Sequence, residues 1–423
     1  MLQIQLFRQD KERIIEGLKK KNFKDLHVVD EIITLDEEKR KIQQQSEALS
    51  AASNAASKSI GQLMAAGKKE EAEQKKQEVK QHKEQEKELA DSLAIAEQKL
   101  HNLLVGLPNL PHSSVPEGKT PEENEVVREG GFMPALVDGA VPHWELTEKY
   151  NLIDFELGTR ITGSGFPVYI NKGARMQRAL IQYFLDYNTS AGYTEYQVPL
   201  LVNEDSAYGT GQLPDKEGQM YHATEDKFYL IPTSEVPLMN IYRDEIVRED
   251  QLPVKMTGYT PCFRREAGSY GKDVRGLNRL HQFDKVELVQ IVHPDKSYEI
   301  LEGMVVHVEQ LLQSLELPYR ILRLCGGDMG FTSALTYDFE VYSAAQQRWL
   351  EVSSVSNVES YQTNRMKIRY KDGNGKTQLA HSLNGSSLAL PRIMACLMEN
   401  NQKEDGIHLP AVLAKYMPYT LIN

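Results

Sequence analysis

The 423-residue chain has few cysteines and no long apolar run. Its three cysteines, Cys262, Cys325 and Cys396, are far apart and show no CxxC or Cys/His spacing, which argues against a disulfide framework or a zinc site. No segment approaches the ~18 uninterrupted apolar residues of a membrane span, and the first residues lack the basic and apolar regions of a secretion signal. We therefore expect a cytoplasmic protein with reduced thiols and no membrane partner.

The chain also lacks the usual phosphate-binding loops, because it contains neither GxxxxGK[ST] nor a GxGxxG that opens a helix. Nucleotide enzymes of those kinds are not supported. The net charge of −11, from 49 basic and 60 acidic residues, argues against nucleic-acid binding over the whole surface but leaves room for one basic face. The length and the ordinary apolar content predict at least two globular domains.

Proline and tryptophan are absent from Val28 to Val105, and only two glycines, Gly61 and Gly67, occur there. Steps of four and three define two heptad seams on either side of Gly67, which is typical of a coiled coil. Because glycine is common where a helix ends and the chain turns back, we predict an antiparallel two-helix arm over about 28–105. The seams are Val28, Ile32, Leu35, Lys39, Ile42, Ser46, Leu49, Ser53, Ala56, Ile60 and Leu63, then Val79, His82, Glu86, Leu89, Leu93, Ala96, Leu100 and Leu103.

Charge is unevenly distributed along this arm. Acidic residues are concentrated near its base, and lysines are concentrated in the half nearer the tip, where acids are also mixed in. The charge alone leaves two interpretations open, a solvated helical spacer and an arm that contacts nucleic acid. The lysines are Lys58, Lys68, Lys69, Lys75, Lys76, Lys80, Lys83 and Lys87.

Pro108 and Pro111 end the helical arm, because two prolines in four residues cannot continue a helix. Beyond them, short β-branched and aromatic runs outnumber regular strand–helix alternations, which favours an α+β domain on a mainly antiparallel sheet. We predict an N-terminal domain over 1–105 and a second domain over 106–423. Predicted strands are 166–170, 193–198, 227–231, 285–291, 337–342 and 366–370, and predicted helices are 174–187, 295–315 and 388–399.

The densest group of functional side chains lies between Cys262 and Glu287. Five basic residues fall within sixteen positions, separated by glycines and followed by a strand pattern. Arginine presents planar, bidentate donors to anionic oxygens, so this turn suits a polyphosphate, and Phe283 could stack on a base. The alternative is a solvated charged hairpin. The five are Arg264, Arg265, Lys272, Arg275 and Arg279.

These residues resemble motif 2 of the class II aminoacyl-tRNA synthetases, in the form found in seryl-tRNA synthetases. The resemblance rests on Phe263-Arg264-x-Glu266, Arg275-Gly276 and His281-Gln282-Phe283. Four further segments match in order along the chain, and together with the arm they cover essentially all of it. These are Gly192–Pro199 as motif 1, Ile231–Pro237 as the serine-binding loop, Glu351–Asn357 as the metal and ATP strand, and Leu383–Arg392 as motif 3.

The resemblance implies a homodimeric enzyme, joined through motif 1, that uses ATP and Mg²⁺ to activate L-serine and transfers it to the 3′ end of tRNA(Ser). The arm would bind the tRNA. Arg264, Arg275 and Arg392 would be catalytic, and Glu351 and Ser354 would hold the metal. Serine would be bound by Thr233, Ser234, Glu235, Arg264, Glu287 and Ser386, and ATP by Arg264, Arg265, Glu266, Phe283, Glu351, Val352, Ser353, Ser354 and Arg392.

More specific roles follow from the same resemblance. Arg264 would hold the serine carboxylate and the α-phosphate, where charge shifts during the reaction. Arg275 would bind the pyrophosphate, and Phe283 and Arg392 would enclose the adenine. Ser353 is the weakest of the assignments, because strand alternation directs it opposite Ser354.

The sequence departs from the family pattern at Arg265, Val355 and Pro391, and only partly matches it over 361–365. These differences affect the packing of the site and remove no proposed ligand. Two other classes of function are considered, a paralogue that loads an amino acid onto a carrier protein and a coiled-coil scaffold without activity. The long arm argues against the first, and the presence of the charged ligands argues against the second.

Overall fold

The computed structural model describes residues 1–266 and 275–423. The chain divides into two compact units, Met1–Pro108 and Asn109–Asn423. The helices are α1 Ile4–Gln9, α2 Lys11–Lys20, α3 Val28–Ala65, α4 Lys69–Gly106, α5 His143–Lys149, α6 Phe155–Ile161, α7 Asn171–Ser190, α8 Glu204–Thr210, α9 Glu235–Asn240, α10 Ser297–Ser314, α11 Tyr361–Met366 and α12 Leu390–Asn400. The strands are β1 Glu125–Gly130, β2 Ile153–Asp154, β3 Val168–Tyr169, β4 Thr194–Glu195, β5 Leu201–Val202, β6 His222–Ala223, β7 Phe228–Leu230, β8 Ile246–Arg248, β9 Val254–Phe263, β10 Gln282–Val292, β11 Tyr319–Arg323, β12 Leu335–Ser343, β13 Arg348–Glu359, β14 Arg369–Lys371, β15 Thr377–Leu379, β16 His381–Ala389, β17 Gln402–Lys403, β18 Gly406–His408 and β19 Leu421–Ile422.

The first unit confirms the predicted helical hairpin. Helices α3 and α4 have 38 residues each, which corresponds to about 57 Å at 1.5 Å per residue. Every residue of the two predicted seams is buried or partly buried, whereas most of the positions between them are exposed. Gly67, in the turn between the helices, has a φ of +75°, a conformation that glycine adopts without strain.

Asp36 ties α1 to the base of α3. The residue is 2% exposed, and its carboxylate accepts hydrogen bonds of 2.7 Å from both Nε and Nη2 of Arg8. Arg40, one turn along the same helix, donates to it at 3.1 Å. The Arg8 hydrogen bond, together with the two nearby guanidinium charges, lowers the pKa of Asp36. This acidic residue of the arm base is therefore an internal ion-pair partner and does not face solvent.

The second unit is built on an eight-stranded sheet with the order β1-β11-β12-β13-β16-β10-β9-β4. All neighbouring pairs in it are antiparallel except β4 and β9, which are parallel. The predicted α+β class on a mainly antiparallel sheet is confirmed. Smaller sheets are formed by β15-β14-β8, β17-β18-β19, β2-β3 and β5-β7-β6.

The main core lies between this sheet and helices α7, α10 and α12. The alternation of side chains along β10 divides them between this core and the opposite face. Val286 and Leu288 are fully buried in the core, whereas Lys285 and Glu287 lie on the other face, where they line a cavity. The strand that completes the core thus also presents charged groups to the cavity.

Two details differ from or add to the sequence prediction. The run 366–370, predicted as a strand, begins with the last residue of α11. Lys367 then adopts a φ of +54°, which turns the chain before β14 begins at Arg369. Among the described residues, no helix is both long enough and apolar enough to cross a membrane.

Candidate active site

A cavity of about 490 Å³ collects most of the predicted site residues. Its lining comes from β10, β13 and β16, from the first residues of α9 and α12, and from the segments that flank β9 and β10. Strands adjacent in the sheet thus bring together residues that are far apart in sequence. The predicted residues that line it are Thr233, Glu235, Arg264, Glu266, Phe283, Glu287, Glu351, Val352, Ser353, Ser354, Ser386 and Arg392.

Three buried polar side chains form one wall of the cavity. Lys285 Nζ donates to Thr233 Oγ1 at 2.9 Å and forms an ion pair with Glu287 Oε2. Thr233 Oγ1 donates to the same carboxylate at 3.3 Å. Burial raises the pKa of Glu287, and the Lys285 ammonium opposes that shift. This wall can accept a hydrogen bond from a hydroxyl or an ammonium group.

Glu235 is a second buried carboxyl of the cavity. Its Oε1 accepts hydrogen bonds from Gln362 Nε2 at 2.6 Å and from Asn384 Nδ2 at 2.7 Å. Burial is the largest influence on its pKa and, with the nearby negative charge of Glu287, raises the value to about 7 despite these two donors. A bound cation would offset the cost of burying this charge and favour the ionised form.

Arg264 and Phe283 lie face to face at the cavity. The Arg264 guanidinium carbon is 5.2 Å from the centroid of the Phe283 ring, and Arg264 Nε donates to the Pro232 carbonyl oxygen at 3.4 Å. Glu266 has a φ of +51°, and its carboxylate forms an ion pair with Arg279. Arg279 lines the cavity as well, so this part of the site contains two arginines and an aromatic ring.

A β-bulge shapes the part of the cavity formed by β13. Phe339 faces Ser353 and Glu340 faces Glu351, so Val352 is the extra residue. The bulge interrupts the alternation, and all four residues from Glu351 to Ser354 line the cavity.

Arg392, in the first turn of α12, links β13 to the segment that precedes β10. It donates from Nη1 to the Glu351 carbonyl oxygen at 2.6 Å and from Nε to the Asn278 carbonyl oxygen at 3.0 Å. Its position is therefore set by two backbone oxygens.

Asp338 lies behind Ser354, its partner across β12 and β13. The Ser354 hydroxyl hydrogen-bonds to its carboxyl group, and burial, followed by the charge of Glu351, raises the Asp338 pKa well above its usual value. Its Oδ1 is buried without a hydrogen-bond partner among the described residues. Carboxylate and hydroxyl oxygens are thus grouped on β12 and β13, a donor set that suits Mg²⁺.

Three predicted site residues lie outside the cavity lining. Ser234 is fully buried, where it donates to the Gly258 carbonyl oxygen and accepts from Thr260. Arg265 is exposed and anchored through its backbone to Gln219, and the guanidinium of Arg275 rests on Trp144. Lys272, from the predicted basic turn, lies outside the described residues.

Residues 1–111 match the family model of the seryl-tRNA synthetase N-terminal domain, and residues 219–401 match that of the class II tRNA synthetase core domain (G, H, P, S and T). A serine–tRNA ligase of Salinibacter ruber is 50% identical to the chain. The alignment covers 100% of this chain and 99% of the Salinibacter protein. The chain belongs to the seryl-tRNA synthetase family. As a member, it is an aminoacyl-tRNA ligase that uses ATP to attach serine to tRNA.

Other relatives agree with this assignment. The serine–tRNA ligase of Neisseria meningitidis serogroup B is 47% identical and covers 99% of the chain and 98% of the relative. A crystal structure of the seryl-tRNA synthetase from Pyrococcus horikoshii complexed with ATP superposes with a TM-score of 0.94 at 31% identity, covering 100% of this chain and 99% of that one. The crystal structure of the Naegleria fowleri cytoplasmic serine–tRNA ligase in complex with AMP superposes with a TM-score of 0.89 at 28% identity, and it too covers 100% of this chain and 99% of that one.

The structure accommodates the positions at which the sequence departs from the seryl-tRNA synthetase pattern. Val355 is fully buried against Gly385, where a Cβ would lie 2.9 Å from a Val355 methyl group. Pro391 occupies the first turn of α12, where its missing N–H removes no helical hydrogen bond. Arg265 is exposed and is not among the residues that line the cavity.

The sequence motifs did not identify several polar residues that line this cavity or contact its lining. Lys285 could have been found, because period-two alternation places it on the same strand face as Glu287. Asp338, Gln362 and Asn384 reach the site through strand register and helix packing, for which the sequence alone has no local signal.

Proposed function

We propose that this single cavity carries serine activation, and that the residues around it act in the roles implied by the family motifs. The serine carboxylate would attack the α-phosphorus of ATP, forming a new P–O bond while the bond to the β-phosphate breaks and pyrophosphate leaves. The observation that carries the proposal is the presence, in one cavity, of the Thr233, Glu235 and Glu287 polar groups together with Arg264, Glu351 and Arg392.

Serine would be recognised by the buried polar wall. Glu235 and Glu287 supply acceptors for its ammonium and hydroxyl groups, and Thr233 and Ser386 lie beside them. The Glu287 carboxylate already accepts from Lys285 and Thr233, so its orientation is fixed before serine binds. A site organised around a hydroxyl rejects analogues without one by about 10⁴–10⁵, and alanine should be a very poor substrate.

ATP would bind in the part of the cavity that is lined by arginine side chains. Arg264 would contact the α-phosphate, Phe283 and Arg392 the adenine, and Glu266 the adenine amino group, while Arg275 would receive the pyrophosphate. Val352 and Ser353 would contribute to the same wall through the β13 bulge. No side chain is needed as a covalent nucleophile, so catalysis would consist of positioning and charge stabilisation.

Magnesium would be held by Glu351 and Ser354. The oxygen donors there fit the ion, and Asp338, with one unpaired buried oxygen, stands directly behind Ser354. When bound, Mg²⁺ would neutralise charge on the ATP phosphate oxygens. Arg392 keeps Glu351 in place by holding its carbonyl oxygen.

We further propose that residues 1–105 form a tRNA-binding domain acting through the arm and that 106–423 form the catalytic domain. Motif 1 would join two copies of the chain. In support of a dimer, β4 ends the eight-stranded sheet, and Leu200 and Leu201, directly after motif 1, are 38% and 48% exposed. Sedimentation equilibrium tests this point, and a monomer at micromolar concentration would contradict it.

Serine-dependent exchange of labelled pyrophosphate into ATP, measured without tRNA, tests the proposed chemistry. We expect exchange with serine and almost none with alanine. Charging of tRNA(Ser) in a second assay separates the enzyme from a paralogue that loads a carrier protein, since that paralogue would show exchange without charging. Absence of exchange would favour the inactive scaffold.

A further inference from the structure

The segment 275–278 contributes Leu277 and Asn278 to the cavity lining and is held from behind by a polar network of residues that do not line the cavity. It follows residues 267–274 and leads towards β10, and it includes Arg275, the proposed ligand of pyrophosphate. Three of its four residues make contacts that converge on α5, the short helix at His143–Lys149. No role in serine activation has so far been given to this helix.

His143 is fully buried, and its hydrogen bonds define its tautomer. The Leu277 backbone N–H donates to His143 Nε2 at 2.8 Å, so Nε2 carries no proton. His143 Nδ1 then donates to Glu399 Oε1, 2.6 Å away. The imidazole is neutral in this arrangement and acts as a connector between α12 and the backbone of the segment.

Glu399 keeps the imidazole in this orientation. Its carboxylate also accepts from the His143 backbone N–H at 2.9 Å, from Gln346 Nε2 at 2.9 Å and from the Ser343 hydroxyl. Burial alone would raise the Glu399 pKa, but the hydrogen bonds from its partners, that from the His143 imidazole first among them, lower it below the usual value. Glu399 is therefore a fixed anion at the far end of α12, the helix that begins beside Arg392.

The neighbouring residues of the segment fit the same surface. A Cβ at Gly276 would lie 2.2 Å from His143 Nε2, and Gly276 has a φ of +65°, so glycine permits the close approach of the imidazole. The Arg275 guanidinium carbon lies 4.7 Å from the Trp144 ring centroid. Asn278 Nδ2 donates to Gln346 Oε1 at 3.0 Å.

We propose that His143 is a positioning residue for the activation step, which acts by anchoring the Leu277 N–H so that Arg275 is delivered to the pyrophosphate. The inference rests on the proposed function of Arg275. Glu399 fixes the imidazole tautomer, the imidazole fixes the backbone beside Arg275, and the guanidinium packs on the Trp144 ring. His143 itself lies outside the cavity lining.

Two substitutions separate the two hydrogen bonds of the imidazole. His143→Gln keeps an acceptor near the position of Nε2, and His143→Asn has no atom there but keeps a donor near Nδ1. In both variants Glu399 retains Gln346, Ser343 and the His143 backbone N–H as donors. Gly276→Ala would disturb the contact between the segment and His143 Nε2 from the side of the segment. It replaces His143→Asn in the experiment if that variant does not fold.

The measurement is pyrophosphate exchange by the full-length protein, with KM determined for pyrophosphate and for serine. We expect His143→Asn and Gly276→Ala to raise the KM for pyrophosphate by about tenfold, the order expected for one lost charge-assisted contact, with the KM for serine nearly unchanged. His143→Gln should stay within about twofold of the wild type. Ser314→Ala removes the hydrogen bond to Tyr183 at the end of α10 and is a control that lowers the melting temperature without moving either KM.

Arg275→Ala distinguishes failure of this inference from failure of the proposed function. If Arg275→Ala leaves the KM for pyrophosphate unchanged, the role of Arg275 is wrong. If it raises that KM and His143→Asn does not, the positioning role of His143 is overturned. If the double variant His143→Asn/Arg275→Ala has the same KM for pyrophosphate as Arg275→Ala alone, His143 acts through Arg275. If His143→Asn lowers both kcat and the melting temperature but leaves the KM for pyrophosphate unchanged, His143 has only a structural role.

Discussion

At the scale of single residues, Glu235 combines burial with a proposed role in binding the serine ammonium. Its folded-state pKa of about 7 lies above its usual value of 4.5, so the stability that its proton supplies is complete below pH 4.5 and is lost as the pH rises through 7. Glu235→Gln keeps an acceptor for Gln362 and Asn384 and has no charge to bury. Urea unfolding should therefore show the variant more stable than the wild type above pH 7, by up to about 3 kcal/mol, and equal to it near pH 4.5.

The same change should weaken serine binding, because the neutral amide cannot pair with an ammonium. We expect the KM for serine to rise by about tenfold or more while the KM for ATP stays the same. An exposed Glu225→Gln variant supplies the baseline for both measurements. Equal stability of Glu235→Gln and wild type at pH 8 would show that the buried charge is compensated in some other way.

Arg264→Ala tests the assignment of motif 2. The change removes a charged donor from the proposed position of the reacting phosphate and leaves the core intact, so adenylate formation should fall by 10²–10³, or about 2.7–4 kcal/mol. Stopped-flow or exchange measurements of adenylate formation check the rate, and an unchanged melting temperature checks the fold. Near-normal exchange would contradict the assignment.

Residue types and motifs predicted many of the cavity residues, since twelve of the fifteen predicted positions line the cavity. Ser234 is an instructive difference. It is adjacent to Thr233 and Glu235, yet it lies at the N-cap of α9, and its hydroxyl turns inward to Gly258 and Thr260. Neighbours in a tight turn point in different directions, and a linear motif carries no information about which one faces the ligand.

At the scale of secondary structure, the bounds of the arm could be predicted almost to the residue, because its heptad pattern is sustained over many repeats and is interrupted once, at Gly67. The two-residue strands such as β4 and β5 could not, since so short a segment has no alternation to detect. Ser353 shows a third case. Alternation predicts that it points away from Ser354, and the two are regularly paired with Phe339 and Asp338; the Ser353 hydroxyl donates to the Ser386 carbonyl oxygen, yet both serines lie in the cavity lining.

The arm lysines differ in how far they are neutralised. Lys75 forms an ion pair with Glu78, whereas Lys80 is exposed and has no ion pair among the described residues, and Lys83 and Lys87 follow it at helical spacing on α4. If the arm contacts tRNA phosphates, Lys80→Ala should reduce the salt slope of tRNA binding by up to about one. Lys75→Ala should change this slope less, because Glu78 already neutralises the lysine. Filter binding of tRNA between about 50 and 200 mM salt measures the slope for each variant. Identical slopes for the wild type and Lys80→Ala would remove this residue from the contact surface.

At the scale of the whole molecule, the arm allows the two half-reactions to be separated. Replacing residues 43–91 by residues 64–70 removes three heptads from each helix, which keeps the seams in phase, and retains the Arg8–Asp36 contact and the Lys39–Glu97 ion pair between α3 and α4. None of the cavity residues is touched. If the arm binds tRNA as proposed, adenylate formation should survive and transfer of serine to tRNA should collapse, because the shortened hairpin has lost the lysine-rich half that would contact the nucleic acid. Charging at the wild-type rate would make the arm a spacer.

The two faces of β10 are linked through a single strand register. Because Val286 and Leu288 fill the core while Lys285 and Glu287 face the cavity, a one-residue slip of this strand would exchange the two sets. Two charges would then enter the core, and the cost of burying them would strongly disfavour that register. A single strand register therefore determines both the packing of the interior and the position of the proposed serine-binding carboxylate, so a molecule with a displaced Glu287 cannot also keep a native interior.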